Sequence, residues 1–184
     1  QRGNRLYWRG SPHESRNVTC TSCHTLHQKT GPSQPQSQFQ ERPLETRLLA
    51  KQTSMEICFQ CHFLQKAQLR RSSHMPLREG KLTCVDCHNP HGTATPKMLV
   101  ANSVNETCYR CHAEKRGPFL WEHPPVSENC LNCHEAHGSL HPALLKQRPP
   151  RLCQRCHMRA GHSTTPQPAA NRLIYNLGCS NCHS

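Results

Sequence analysis

Apolar residues in this chain gather into no long periodic stretch. The nearest approach is RPLETRLLAKQTSMEIC at 42–58, where leucines and Met55 fall near the helical period and predict short helices, as at the motifs themselves. Alternation of apolar and polar positions, the mark of a half-buried strand, is almost absent. Proline-rich turns such as HPPVSE, RPPRL and TTPQPAA divide the remainder, so the pattern predicts mostly coil with short α-helices and little or no β. GPSQPQSQFQERP at 31–43 has no apolar period and reads as a solvated loop, with a partner-facing extension as the alternative. No run approaches the roughly 18 apolar residues of a membrane-spanning helix.

Composition sharpens the problem. Of 184 residues only 34% are hydrophobic and 5% aromatic, too little apolar surface to offset the entropy of ordering the chain. Chains this poor in core are held by disulfides, metals or cofactors. Fourteen cysteines are present, and their spacing decides among these. All fall into C-x-x-C pairs followed at once by histidine: Cys20/Cys23/His24, Cys58/Cys61/His62, Cys84/Cys87/His88, Cys108/Cys111/His112, Cys130/Cys133/His134, Cys153/Cys156/His157 and Cys179/Cys182/His183.

C-x-x-C-H is the attachment signature of c-type haem, in which two thiols form thioethers and the adjacent imidazole binds iron. A single copy could be a zinc knuckle, but seven repetitions without a cysteine left over exclude zinc and disulfide frameworks as the main reading. Seven c-type haems also account for the formal charge of +12. Haem propionates supply the counter-charge, so the basic residues do not call for nucleic acid.

The motifs alternate in their surroundings. Those at Cys20, Cys84 and Cys130 carry a second histidine three residues on, at His27, His91 and His137; those at Cys58, Cys108 and Cys153 do not. From Cys58 onward the first cysteines are 26, 24, 22, 23 and 26 residues apart, giving a two-haem unit of about 48 residues. The chain therefore reads as one elongated multihaem domain, 1–184. It has a leading one-haem segment at 1–57, which includes the loop at 31–43, and two-haem repeats at 58–107, 108–152 and 153–184.

Eight histidines remain as distal ligands: His13, His27, His74, His91, His123, His137, His141 and His162. His137 cannot serve the haem of His134, because rounding a porphyrin takes roughly 25 Å of chain and three residues span about 10 Å. It is expected to cross to a neighbouring haem, as are His27, His91 and His162. His74 and His123 could reach round the haems of His62 and His112 or bind others. His13 and His141 are the less certain candidates, with propionate bonding or the surface as alternatives. Met55, Met75, Met98 and Met158 share no place in the repeat and are not expected as ligands. In FLWEHPP, Phe119 and Trp121 are candidates to pack on porphyrin, and Arg110, Lys115 and Arg116 to pair with propionates.

GSPHESRNVTCTSCHTLH, CVDCHNPHG and above all CYRCHAEKRGPFLWEHPPVSENCLNCHEAHGS at 108–139 resemble the MtrA/DmsE type of periplasmic decahaem cytochromes. These are the electron-carrying parts of outer-membrane porin–cytochrome conduits. The likeness runs over nearly the whole chain, whose seven motifs match the family's last seven. It implies a periplasmic, outer-membrane-associated protein that meets a β-barrel porin and an extracellular multihaem cytochrome among its redox partners. It also implies that His13 serves a haem upstream, that His141 is not a regular ligand, and that a haem near the end depends on a histidine beyond Ser184 or on another chain.

Bis-histidine iron has no open position for substrate, so an electron-transfer wire, not an enzyme, is expected. A multihaem reductase with one open haem, or a subunit of a cytochrome filament, is the alternative. The intact holoprotein should weigh seven haems more than the polypeptide; mass spectrometry finding fewer would exclude one of the motifs.

Overall fold

The computed structural model describes residues 5–25 and 48–157. Short helical turns follow one another in coil: α1 (Cys20–Cys23), α2 (Ser54–Cys58), α3 (Phe63–Gln68), α4 (Val104–Tyr109), α5 (Pro124–Glu128) and α6 (Arg151–Gln154). Two-residue strands β1 (Ser73–His74) and β2 (Gly138–Ser139) pair antiparallel, Ser73 against Ser139 and His74 against Gly138. Further 3-10 turns at Cys84–Asp86 and Cys130–Asn132 carry two of the motifs.

Of the short helices expected within 42–58, the described residues hold α2. Thr53 caps that turn by accepting from the Glu56 backbone N–H, and Glu56 reaches back to Thr53, a reciprocal cap that sets the start at Ser54. Leu48, at φ 61°, is left-handed, and Leu49 bridges to His24. The upstream leucines are drawn off to build a motif instead of a helix. Positions 42–47 lie outside the described residues.

Among the described residues the buried apolar side chains are Ile57, Leu69 and Leu77. Polar groups do much of the joining. Asn105, 6% exposed, donates from Nδ2 to the carbonyls of Val126 and Ser127, both at 3.0 Å, and accepts at Oδ1 from the Cys130 N–H at 2.7 Å. One amide thus ties α4 to α5 and to the next motif. Arg71 does the same between α3 and β2, donating to the Gly138 carbonyl at 3.1 Å. At Gly138 a Cβ would run into the Gln68 carbonyl oxygen, and at Gly92, with φ +105°, into that of Tyr7. Both glycines follow the second histidine of their repeat and let that histidine's strand lie directly on another segment.

Asn105→Ala should destabilise the holoprotein by about 2–3 kcal/mol, since it strands a buried N–H and two carbonyls. Denaturant unfolding followed at the Soret band checks this, with an unchanged midpoint contradicting the role given to the amide.

Candidate haem sites

Each described motif is wound into one turn, with the histidine N–H bonded to the carbonyl of the first cysteine. The distances are 2.8 Å for His24, 2.9 Å for His62, 3.0 Å for His88, 2.9 Å for His112, 3.0 Å for His134 and 3.0 Å for His157. A cysteine and a histidine four residues apart therefore share one side of the turn, as attachment to a single porphyrin requires. The turns begin where the sequence caps them. Ser103 accepts from the Glu106 N–H, Asn129 from the Leu131 N–H, and Thr83 and Asp86 form a reciprocal box.

Among the described residues none of the cysteines expected as thioether donors is joined in a disulfide. Cys133 and Cys156 are the second cysteines of the last two described motifs. The Cys133 N–H bonds to the Cys130 carbonyl at 3.3 Å, and the Cys156 N–H to the Cys153 carbonyl at 3.2 Å. Both therefore ride on the same turn as their histidine. They differ in setting: Cys133 is half-buried, because the Lys146 N–H returns to its carbonyl at 2.9 Å, whereas Cys156 is exposed.

Three motif imidazoles are held at the rear. Nδ1 of His24 donates to the Leu48 carbonyl at 3.2 Å, of His88 to Lys97 at 2.8 Å and of His134 to Ala143 at 2.7 Å. A carbonyl only accepts, so Nδ1 carries the proton and Nε2 keeps the lone pair that a metal needs.

The decisive geometry lies in front of these rings. His91 stacks opposite His24, with centroids 6.0 Å apart and planes at 13°; His137 faces His88 at 6.2 Å and 22°. His13 faces His62 at 6.2 Å and 66°, and His123 faces His157 at 6.1 Å and 30°. Two metal–nitrogen bonds of about 2 Å plus the depth of two rings place imidazole centroids about 6 Å apart on either side of one iron. The four gaps fit a bis-histidine haem. Burial pushes the His91 and His137 imidazoles below their usual range, each aided by the facing motif histidine, His24 and His88 respectively. Both are thereby kept in the neutral form that ligates. His13 is fixed by donating from Nδ1 to the Pro90 carbonyl at 2.8 Å, which holds its ring beside that of His62.

The other candidates are disposed differently. His74 donates from Nδ1 to the Arg71 carbonyl at 2.9 Å and lies 3.1 Å from Glu79 through Nε2; the Glu79 carboxylate raises its pKa. His141 follows Ser139 as Thr95 follows Thr93. The backbone N–H at 141 bonds Ser139 Oγ at 3.0 Å and that at 95 bonds Thr93 Oγ1 at 3.3 Å. It therefore occupies a turn position that another repeat fills with threonine. Among the described residues no histidine ring faces His112 or His134. His27, His162, His183, Cys179, Cys182 and Met158 lie outside the described residues, as does the loop 31–43. Arg110 donates to the Asp86 carbonyl at 2.7 Å and Arg116 pairs with Glu106 at 2.9 Å, while Phe119 and Trp121 stand exposed, the latter by 92%. The carbonyls of Leu48, Lys97 and Ala143 were not foreseen. Their only signal in sequence is a proline, Pro96 or Pro142, eight residues past the motif histidine in two repeats.

The doubled CxxCH motif family matches residues 74–117 and 123–162. Over 189 aligned positions the chain is 45% identical to the multiheme cytochrome MtrA of Shewanella baltica (strain OS185), covering 98% of this chain and 52% of that protein. This is a multihaem c-type cytochrome, similar to MtrA. It spans about half the length of that curated relative. The cytochrome's mostly coil architecture, short helices and two-residue strands follow from having the motifs as its organising elements. No described helix is long and apolar enough to cross a membrane.

Ring planes this different should be visible by electron paramagnetic resonance of the oxidised cytochrome. Near-parallel imidazoles split the iron d-orbitals and give rhombic low-spin spectra, whereas steeply crossed ones leave them nearly degenerate and give one very large g value. The His24/His91 and His88/His137 sites should be rhombic and His13/His62 of the large-g type; a spectrum of one type throughout would contradict these orientations.

Proposed function

We propose that the cytochrome is an electron-transfer wire of seven covalently attached haems, mainly bis-histidine, with the fourteen motif cysteines as thioether donors and the seven motif histidines as proximal ligands. The observation that carries this reading is the set of facing rings: His91 would be distal to His24, His137 to His88, His13 to His62 and His123 to His157. His27, His74 and His162 are assigned as distal ligands from the repeat. A haem held between two imidazoles supplies one-electron exchange and offers no open position to a substrate, so the chain is read as a carrier, not an enzyme.

The thiols support a continuous path. Cys58 lies against Cys84, and Cys108 lies beside Cys130. Cys23 and Cys61, and likewise Cys87 and Cys111, are close enough to feel each other's charge. Consecutive motifs thus approach alternately through first and second cysteines, the points at which porphyrin edges would be attached. Cys133 and Cys156 fall outside this series, and their place as thioether donors rests on the motif itself. The chain's own part is to set the spacing, orient the rings and exclude water from His91 and His137.

Likeness to MtrA supports a periplasmic location at the outer membrane, with a β-barrel porin and an extracellular multihaem cytochrome as partners. Direction of flow would follow the donors and acceptors and not the wire itself.

Spin quantitation tests the reading. The holoprotein should be low-spin at the four sites with facing rings, and His91→Ala should create one equivalent of high-spin iron, with shifted haem methyl resonances at the His24 site. Displacement at the His88 site instead would return His91 to its own motif. High-spin iron in the unmodified protein that binds nitrite or hydroxylamine would favour the reductase alternative.

A further inference from the structure

Resting on the haem assignments proposed above, the further inference concerns what stands behind the proximal histidines. Three turns share one construction. In 96–98, Lys97 and Met98 are both left-handed, at φ 60° and 55°; in 142–144, Ala143 and Leu144 are, at 55° and 58°. Successive left-handed residues that are not glycine are sterically strained, so something must hold them there. What they achieve is to aim two carbonyls at one motif. Lys97 accepts from His88 Nδ1, and Met98 from the Asn89 N–H at 2.9 Å. Ala143 accepts from His134 Nδ1, and Leu144 from the Glu135 N–H at 2.7 Å. Behind the first motif, Leu48, at φ 61°, receives both the His24 ring and the Thr25 N–H on its one carbonyl, the latter at 2.8 Å. The returning strand then bridges back, His24 with Leu49, His88 with Leu99 and His134 with Leu145.

Among the described residues nothing comparable stands behind the motifs of His62 and His112. Among the described residues no backbone carbonyl accepts from the rings of His62, His112 or His157; His112 has the Glu114 carboxylate at 3.5 Å, both groups exposed to water. The division follows the alternation of the sequence: the turn accompanies those motifs that carry a second histidine.

We propose that these strained turns sort the haems into two alternating classes, with Leu48, Lys97 and Ala143 as positioning residues that act through the proximal imidazoles. A hydrogen bond from Nδ1–H to a carbonyl makes Nε2 a stronger donor, which favours ferric over ferrous iron and lowers the reduction potential. The haems on His24, His88 and His134 are the low-potential class, interleaved along the chain with a higher class on the motifs between them.

Site-resolved redox titration of the holoprotein, following haem methyl resonances, tests this. Midpoints for the His24 and His88 haems should lie below those for His62 and His157. Lys97→Pro cannot adopt a positive φ and should raise the midpoint of the His88 haem alone, whereas Lys97→Gly keeps the turn, loses the same charge and should leave it in place. Ala143→Pro and Ala143→Gly repeat the comparison at His134, and if neither proline variant takes up its full complement of haem the native order decides. Midpoints of the two classes that interleave, or a His88 haem indifferent to Lys97→Pro, would overturn the proposal. High-spin iron at His88 in the native protein would instead defeat the ligand assignment beneath it.

Discussion

Imidazole facing imidazole across 6.0–6.2 Å is the arrangement on which the rest of the molecule depends. The apolar core cannot take that role. Ile57, Leu69 and Leu77 are the buried apolar side chains among the described residues, worth about 1.5–3 kcal/mol each against an ordering cost of roughly 1–2 kcal/mol for every residue. Caps such as Thr53 with Glu56 and bridging amides such as Asn105 decide local conformation, but hydrogen bonds yield only about 1 kcal/mol net. The free energy of attaching and ligating a prosthetic group must be the free energy of folding, as in small metal-organised domains.

The facing rings also set the topology. His91 belongs by sequence to the motif of His88 but faces His24, and His137 faces His88 instead of the adjacent His134. Each of these contacts skips a motif. His123, ahead of the motif at Cys130, faces His157 in the following one. The sequence repeats at 58–107 and 108–152 are therefore not closed units, since the His88–His137 pair crosses the boundary between them. The glycines after His91 and His137 fit the same scheme, for they allow the crossing strands to lie on the backbone of Tyr7 and of Gln68.

Much of this could be read from residues alone, because covalent attachment leaves a strict signature. C-x-x-C-H specifies the turn, the thioether positions and the proximal histidine together, and the impossibility of His137 rounding its own haem follows from chain length. What stayed hidden depends on backbone. Leucine spacing over 42–58 pointed to short helices, of which α2 is one, but Leu48 and Leu49 serve a left-handed turn and a bridge, which no hydropathy pattern encodes. Every residue has a carbonyl, so that of Lys97 or Ala143 carries no mark of type. His141 illustrates the converse: its residue type suggested a ligand, while its position matches Thr95 in the neighbouring repeat.

In the proposed wire, mechanical and electrical connections follow different rules. Ligation by His91 and His137 joins a motif to the next but one, whereas thiols approach between consecutive motifs, Cys58 with Cys84 and Cys108 with Cys130. Electrons would pass in sequence order while the fold is stitched in steps of two. Such interleaving would over-determine the haem positions on His24 and His88, because attachment, distal ligand and neighbours' edges would come from different stretches of chain. A gap between porphyrins set in this way resists local loosening of any single loop. With so few buried side chains among its described residues, the apolar core could not by itself hold redox centres at fixed separations.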